Sequence, residues 1–200
     1  MTKTTAIILA AGQGTRMKSP LPKVLHPVAG QPMIVRILSN CLLAEFDEAR
    51  VVLGHGSQLV QSVIEPFASQ VTKQIAIQIH QQVNQLGTAD AVKAADFESL
   101  EGDVVILNGD HPLITTADLK NFISDFREQK LDLAVVSVEL KEAKQFGRIV
   151  RQNEKLKAIV EFKDASSETL KIKEVSTGIY IAQAEILKKY LPQIKNNNAN

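Results

Sequence analysis

The apolar run Thr5-Ala6-Ile7-Ile8-Leu9-Ala10 has the length of one buried strand, and it breaks at once into Ala11-Gly12-Gln13-Gly14-Thr15-Arg16. Glycines let successive backbone N–H groups crowd together, and such a concave nest holds an anion. Two cations follow, Arg16 and Lys23. Arginine adds a bidentate fork for phosphate oxygens and lysine a movable point charge. Strand, glycine loop, Arg, Lys is therefore the order expected of a triphosphate-binding edge. The competing reading is a glycine-rich turn with solvated basic side chains. Two other phosphate loops are excluded, since a dinucleotide fingerprint needs a third glycine where Met17 stands and a P-loop needs Gly-Lys-Ser/Thr.

Beyond the loop, Ala11 to Gln31 carries several Gly and Pro residues and reads as mostly irregular. Pro32 suits the first position of a helix whose apolar face is Ile34, Ile37, Leu38, Cys41 and Leu42. Ala49 to Leu53 reads as a second strand, followed by a helix with Leu59, Val63 and Ile64 inward. Ile75 to Ile79 is a third strand, and Gly87-Thr88-Ala89 opens a helix that packs through Ala91, Val92 and Ala95. Asp103 to Leu107 is apolar enough for the centre of a parallel sheet. Thr115 and Asp118 form a capping-box pattern ahead of Leu119, Phe122, Ile123 and Phe126, and Leu131 to Val138 is a fifth strand. The alternation predicts a Rossmann-like, doubly wound α/β fold with a mostly parallel sheet and ligands at the carboxyl ends of its strands.

Past Gly147 the texture becomes β-rich. Arg148 to Arg151 and Leu156 to Phe162 read as strands joined by the turn Gln152-Asn153-Glu154-Lys155, and Gly178 to Ala182 as another, with a short helix from Glu185 to Tyr190. This reads as an insertion lying over the strand ends. The expected organisation is one domain over 1–200, with a nucleotide half of about 1–140 and a sugar half of about 141–200.

A chain that is 44% hydrophobic and 22% charged, with net charge +1, offers no global field for nucleic acid or a membrane surface, so anion binding must be local. Cys41 stands alone, which rules out an internal disulfide and fits a reducing compartment; its place on an apolar helix face makes it core filler. Lys3 precedes an apolar run that Gly12 and Arg16 end too early for a secretory signal, so the expected location is cytoplasmic.

Leu9-Ala10-Ala11-Gly12-Gln13-Gly14-Thr15-Arg16-Met17 with Pro22-Lys23 resembles the signature of sugar-nucleotide pyrophosphorylases. Gln85-Leu86-Gly87-Thr88-Ala89, Gly109-Asp110, Gly147-Arg148-Ile149 and Ile159 to Ala165 follow in order. Together they are similar to the N-terminal domain of bacterial N-acetylglucosamine-1-phosphate uridylyltransferases. The resemblance implies transfer of UMP from UTP to N-acetylglucosamine 1-phosphate, with pyrophosphate released, for peptidoglycan and lipopolysaccharide precursors. Another sugar 1-phosphate, or a nucleotide-binding module without turnover, are the alternatives.

The resemblance also implies roles. Arg16 and Lys23 are the catalytic cations, and Leu9, Ala10, Ala11, Gly12, Gly14 and Thr15 form the triphosphate loop. Gln82, Gln85, Gly87 and Thr88 read uracil, while Asn108, Gly109 and Asp110 end a strand in the crevice, Asp110 as the Mg²⁺ ligand. Gly147, Glu161, Ser176 and Thr177 hold the sugar. The sequence departs from the family at Ser176, where asparagine is usual, at Asn108, where tyrosine is usual, at His111, where a small apolar residue is usual, and at Asp90, where histidine is common. A second metal ligand, an asparagine, would lie beyond residue 200. In the family the run Asn196-Asn197-Asn198 leads into the rest of this domain and then an acetyltransferase domain on which a trimeric homo-oligomer depends. The partners implied are UTP and the sugar phosphate, with no nucleic acid and no membrane.

Overall fold

A computed structural model describes residues 2–12, 14, 17–54, 56–84 and 86–194. Its elements run β1 (Thr4–Ala10), β2 (Pro27–Val28), β3 (Gln31–Pro32), α1 (Met33–Leu43), β4 (Glu48–Leu53), α2 (Ser57–Val71), β5 (Ala76–Gln81) and α3 (Thr88–Ala94). There follow β6 (Asp103–Asn108), α4 (Thr116–Glu128), β7 (Leu133–Glu139), β8 (Arg148–Gln152), β9 (Lys155–Val160), α5 (Ser167–Leu170), β10 (Glu174–Gln183) and α6 (Ala184–Tyr190).

The main sheet has eight strands in the order β5-β4-β1-β6-β10-β8-β9, with β7 also paired to β10. Strand β1 lies parallel between β4 and β6, and β5 extends the sheet in parallel beyond β4. Alternation along β1 supplies both faces of the core. Ala6, Ile8 and Ala10 meet α1, α2 and α4 residues such as Ile34, Leu38, Ile64 and Leu119, while Ile7 meets Ala91, Val92 and Leu187 from α3 and α6. Helices on both faces of a largely parallel sheet are the doubly wound arrangement expected, and the apolar β1, β4 and β6 are buried as such sheets require.

The β-rich segment is present, but it joins the main sheet. Strand β10 runs antiparallel to β6 through its second half, while Val175 in its first half pairs with Arg148 of the β8–β9 hairpin. It begins at Glu174, four residues before the expected start, with its register interrupted between Ser176 and Tyr180. Asn153 and Glu154 both have positive φ, 50° and 62°, so the hairpin turn is the primed kind that matches strand twist. Phe162 lies in a short 3-10 turn, beyond β9.

Several local expectations shift. Pro32 precedes α1 as its N-cap, still paired to Pro27, because a residue with no N–H loses nothing in either place. Leu59 is 48% exposed; Val60 and Ile64 face the core, with Phe67 and Val71 continuing that stripe at helical spacing. Strand β7 starts at Leu133, not Leu131. The Thr115–Asp118 capping box is formed in both directions. Cys41 is fully buried in the core, and burial pushes its thiol up to about 12, so it is inert filler. Among the described residues no helix is long and apolar enough to cross a membrane.

One buried polar cluster braces the sheet. Arg50 on β4 donates from Nε to Glu48 at 2.7 Å, and from Nη1 to the carbonyls of Ala95 and Asp96 and to Ser99 Oγ at 2.7–2.9 Å. It thereby pins the segment after α3. Burial would raise the Glu48 carboxyl, but hydrogen bonds and charge from Arg50 and Lys3 outweigh it and hold the group below the usual carboxylate range. With the folded pKa below the unfolded one, this stabilisation is present above the ordinary carboxylate range and is lost as pH falls through the folded value. Arg50→Leu is expected to cost about 3 kcal/mol in denaturant unfolding at neutral pH, since one partner of a buried pair is left behind. Lys3, 38% exposed on its side chain, still reaches Glu48 at 2.8 Å, and Lys3→Ala is expected to cost under about 1 kcal/mol.

Candidate active site

The carboxyl ends of β1, β4, β5 and β6 converge. The Gly109 N–H donates to Leu9 O at 2.8 Å and the Gln82 N–H to Leu53 O at 2.8 Å, so the loops after β6 and β5 are tied to the ends of β1 and β4. Between them opens a cavity of about 690 Å³. Its walls include Leu9, Ala10, Ala11, Gly12, Gly14, Lys23, Gln82, Gly87, Thr88, Asn108 and Asp110, all singled out from the sequence. Thr15, Arg16 and Gln85 lie outside the described residues.

Lys23 opens a 3-10 turn whose next two residues, Val24 and Leu25, are buried. Those two side chains anchor the turn in the core and leave Lys23 at the cavity. Its ammonium pairs directly with Asp110, both residues lining the cavity, each side chain roughly a quarter to a third exposed. Gly14 has φ +61, and a Cβ there would stand 2.8 Å from Lys23 Cβ, so the glycine loop lies directly against the stem of the lysine. Gly109 is closely packed as well, since a Cβ would come within 3.0 Å of Val24 and 3.1 Å of Leu9 O. The glycines are needed for close approach on both sides of the Lys23–Asp110 pair.

On the opposite wall Gln82 is 7% exposed, and its side-chain NH₂ donates to Asp90 Oδ2 at 2.8 Å and to Gly87 O at 3.3 Å. Gly87 has φ +115 and nothing within 4 Å of where a Cβ would sit, leaving its backbone open to a ligand.

The four residues assigned to the sugar do not line this cavity; they form a chain leading away from it. Asn108 Nδ2 donates to Gly178 O at 3.3 Å, and Gly178, at φ +77, has room for no Cβ beside that amide. The Ser176 N–H donates to Gly147 O at 2.9 Å, and Gly147 in turn faces Glu161, whose Oε1 would lie 3.2 Å from a Cβ there. The hydroxyls of Ser176 and Thr177 are engaged within the irregular stretch of β10. Ser176 Oγ accepts from the Gly178 N–H, and Thr177 Oγ1 donates to Val136 O at 2.8 Å and accepts from the Ile179 N–H. Arg148, 3% exposed, donates to the carbonyls of Ala143, Lys144 and Phe146 and braces that loop.

Sequence reasoning missed Val24, Met17 and Ala91 as cavity walls, and it treated Asp90 only as a departure from a pattern. Pro22-Lys23-Val24 held a signal for Val24, an apolar residue beside an anchored cation. Asp90 had none, because its partner sits eight residues away. A second cavity of about 660 Å³ shares Asp110 with the first and is walled by His111, Leu113, Phe122, Val136 and Thr177 among others. His111 is thus a rim residue of that second space.

Asp110 offers at the cavity a hard carboxylate oxygen of the kind a Mg²⁺ ion prefers. Among the described residues no group of three or more His, Cys, Asp or Glu converges. The carboxylate of Asp110 fits a metal of that kind.

The family model described as nucleotidyl transferase matches residues 5–200. The chain is 56% identical over 195 residues to a protein of Bdellovibrio bacteriovorus named bifunctional protein GlmU, covering 98% of the chain and 41% of that relative. It is 40% identical over 197 residues to the bifunctional protein GlmU of Shouchella clausii, covering 97% and 41%. The chain therefore spans about two-fifths of the length of the curated relatives it matches. In fold it is similar to UDP-glucose pyrophosphorylase complexed with UDP-glucose, at TM-score 0.75 and 18% identity, covering 98% of the chain and 81% of that structure. The apo UDP-glucose pyrophosphorylase structure gives TM-score 0.76 and 19% identity, covering 99% and 83%. With the family model matched from the first strand to the end, around a glycine loop facing a Lys–Asp pair, the chain belongs to the nucleotidyl transferase family.

Proposed function

We propose that the protein transfers UMP from UTP to N-acetylglucosamine 1-phosphate in the cytoplasm, for peptidoglycan and lipopolysaccharide precursors. The observation that carries this reading is the convergence, in one cavity, of the glycine loop, the Lys23–Asp110 pair and the Gln82–Gly87–Thr88 wall. Relatives named bifunctional protein GlmU, at up to 56% identity, support the same assignment. A phosphate oxygen of the sugar phosphate forms a bond to the α-phosphorus of UTP, and the bond from that phosphorus to the bridging oxygen breaks, releasing pyrophosphate. Such transfers depend on positioning and on neutralising charge.

The loop of Leu9, Ala10, Ala11, Gly12, Gly14 and Thr15 cradles the triphosphate, and Arg16 and Lys23 offset charge on it as pyrophosphate departs. Asp110 would hold a Mg²⁺ ion, which would supply charge neutralisation at the phosphate oxygens. Gln82, Gln85, Gly87 and Thr88 receive the uracil; residues to about 140 form this nucleotide half. Gly147, Glu161, Ser176 and Thr177, in the half from about 141, take the sugar. The test is pyrophosphate release with UTP and Mg²⁺, comparing N-acetylglucosamine 1-phosphate with glucose 1-phosphate. Faster release with the acetamido sugar is expected. Equal rates would overturn the sugar assignment, and UTP binding without any release would leave a nucleotide-binding module.

A further inference from the structure

The Gln82 amide is turned one way by its neighbours. One arm of the side chain lies 2.8 Å from Asp90 Oδ2 and 3.3 Å from the carbonyl oxygen of Gly87. Both partners are acceptors, so that arm must be the NH₂ group and the other arm the carbonyl oxygen. With the NH₂ engaged, the polar group of Gln82 left for a ligand is Oε1, which only accepts. Asp90 does not line the cavity; it stands behind Gln82 in the first turn of α3, where a carboxylate is favoured by the helix dipole. Ala91 and Val92, the next two residues, are 5% and 3% exposed and fasten that turn to the sheet. The carboxylate is thus carried on a packed element, as a residue that must hold another in place requires.

We propose that Asp90 is a positioning residue for base selection: it holds the Gln82 amide with its carbonyl oxygen toward the base. An acceptor presented there matches a pyrimidine whose N3 carries hydrogen, as in uracil, and opposes cytosine, whose N3 carries a lone pair. Without Asp90 the amide can turn over and offer NH₂ to a cytosine N3, with only the longer contact to Gly87 O opposing the turn. This inference rests on the proposal that Gln82 meets the base, and it adds how the preference is enforced.

The test is calorimetric titration of the protein and its variants with UTP and CTP in the presence of Mg²⁺. Wild-type protein is expected to prefer UTP by roughly a hundredfold, the order set by leaving a desolvated acceptor unpaired. Asp90→Ala is expected to cut that ratio about tenfold or more, with CTP affinity held or improved. Asp90→Asn can still present an acceptor oxygen to the Gln82 NH₂, and it is expected to keep the ratio within about threefold of wild type. An unchanged ratio in Asp90→Ala, or equal loss of both nucleotides, would overturn the positioning role while the uridine reading stands. No preference for UTP in the wild-type protein would instead overturn the uridine reading itself.

Discussion

Lys23→Met is expected to lower the rate of pyrophosphate release roughly a thousandfold, the upper range for removing one preorganised charge from a transition state. Methionine keeps most of the stem that Gly14 packs against and removes only the ammonium, so the glycine loop retains its support. Stability should change little. The Lys23–Asp110 pair is part-exposed, and such pairs contribute about 1 kcal/mol or less. The loss should fall mainly on kcat, because charge on the leaving pyrophosphate grows as the reaction proceeds. Steady-state kinetics beside a thermal melt checks this. A rise in KM alone would show Lys23 to bind ground state and transition state equally, and a rate within tenfold of wild type would remove it from the chemistry.

Asp110→Asn is expected to abolish Mg²⁺-dependent turnover to a similar extent, about a thousandfold, because several kcal/mol of charge stabilisation depend on a carboxylate at this point. The substitution is nearly isosteric, and Asn Oδ1 can still accept from Lys23, so the loop between Asn108 and His111 should hold its shape. Lys23 then faces no opposing charge and is available to phosphate. UTP binding in EDTA is accordingly expected to be retained or strengthened in Asp110→Asn, while the response of the rate to added MgCl₂ disappears. Two measurements decide it, a Mg²⁺ titration of the rate and a nucleotide titration without metal. Turnover that still rises with Mg²⁺ would take Asp110 out of the metal site.

Much of this arrangement was legible along the chain because it depends on local grammar. Thr5 to Ala10 reads as a buried strand and the glycines after it as a loop, because both statements concern neighbouring residues. The Thr115–Asp118 capping box closes within three residues and forms as read. The helix from Ser57 was legible in existence but not in phase. Leu59 and Val60 are adjacent apolar residues, and only the sheet beneath decides which turns inward.

What the sequence by itself determined is the order of the main strands and helices, the glycine loop after the first strand and the candidates around it, since periodicity and turn chemistry act over a few residues. The tertiary structure alone decided which distant residues meet. Lys23 faces Asp110 across 87 positions, Asn108 reaches Gly178 across 70, and β10 enters the sheet beside β6 against the direction of its neighbours. These pairings follow from how the sheet is ordered and closed on its two apolar faces, a many-body packing problem that no local pattern encodes.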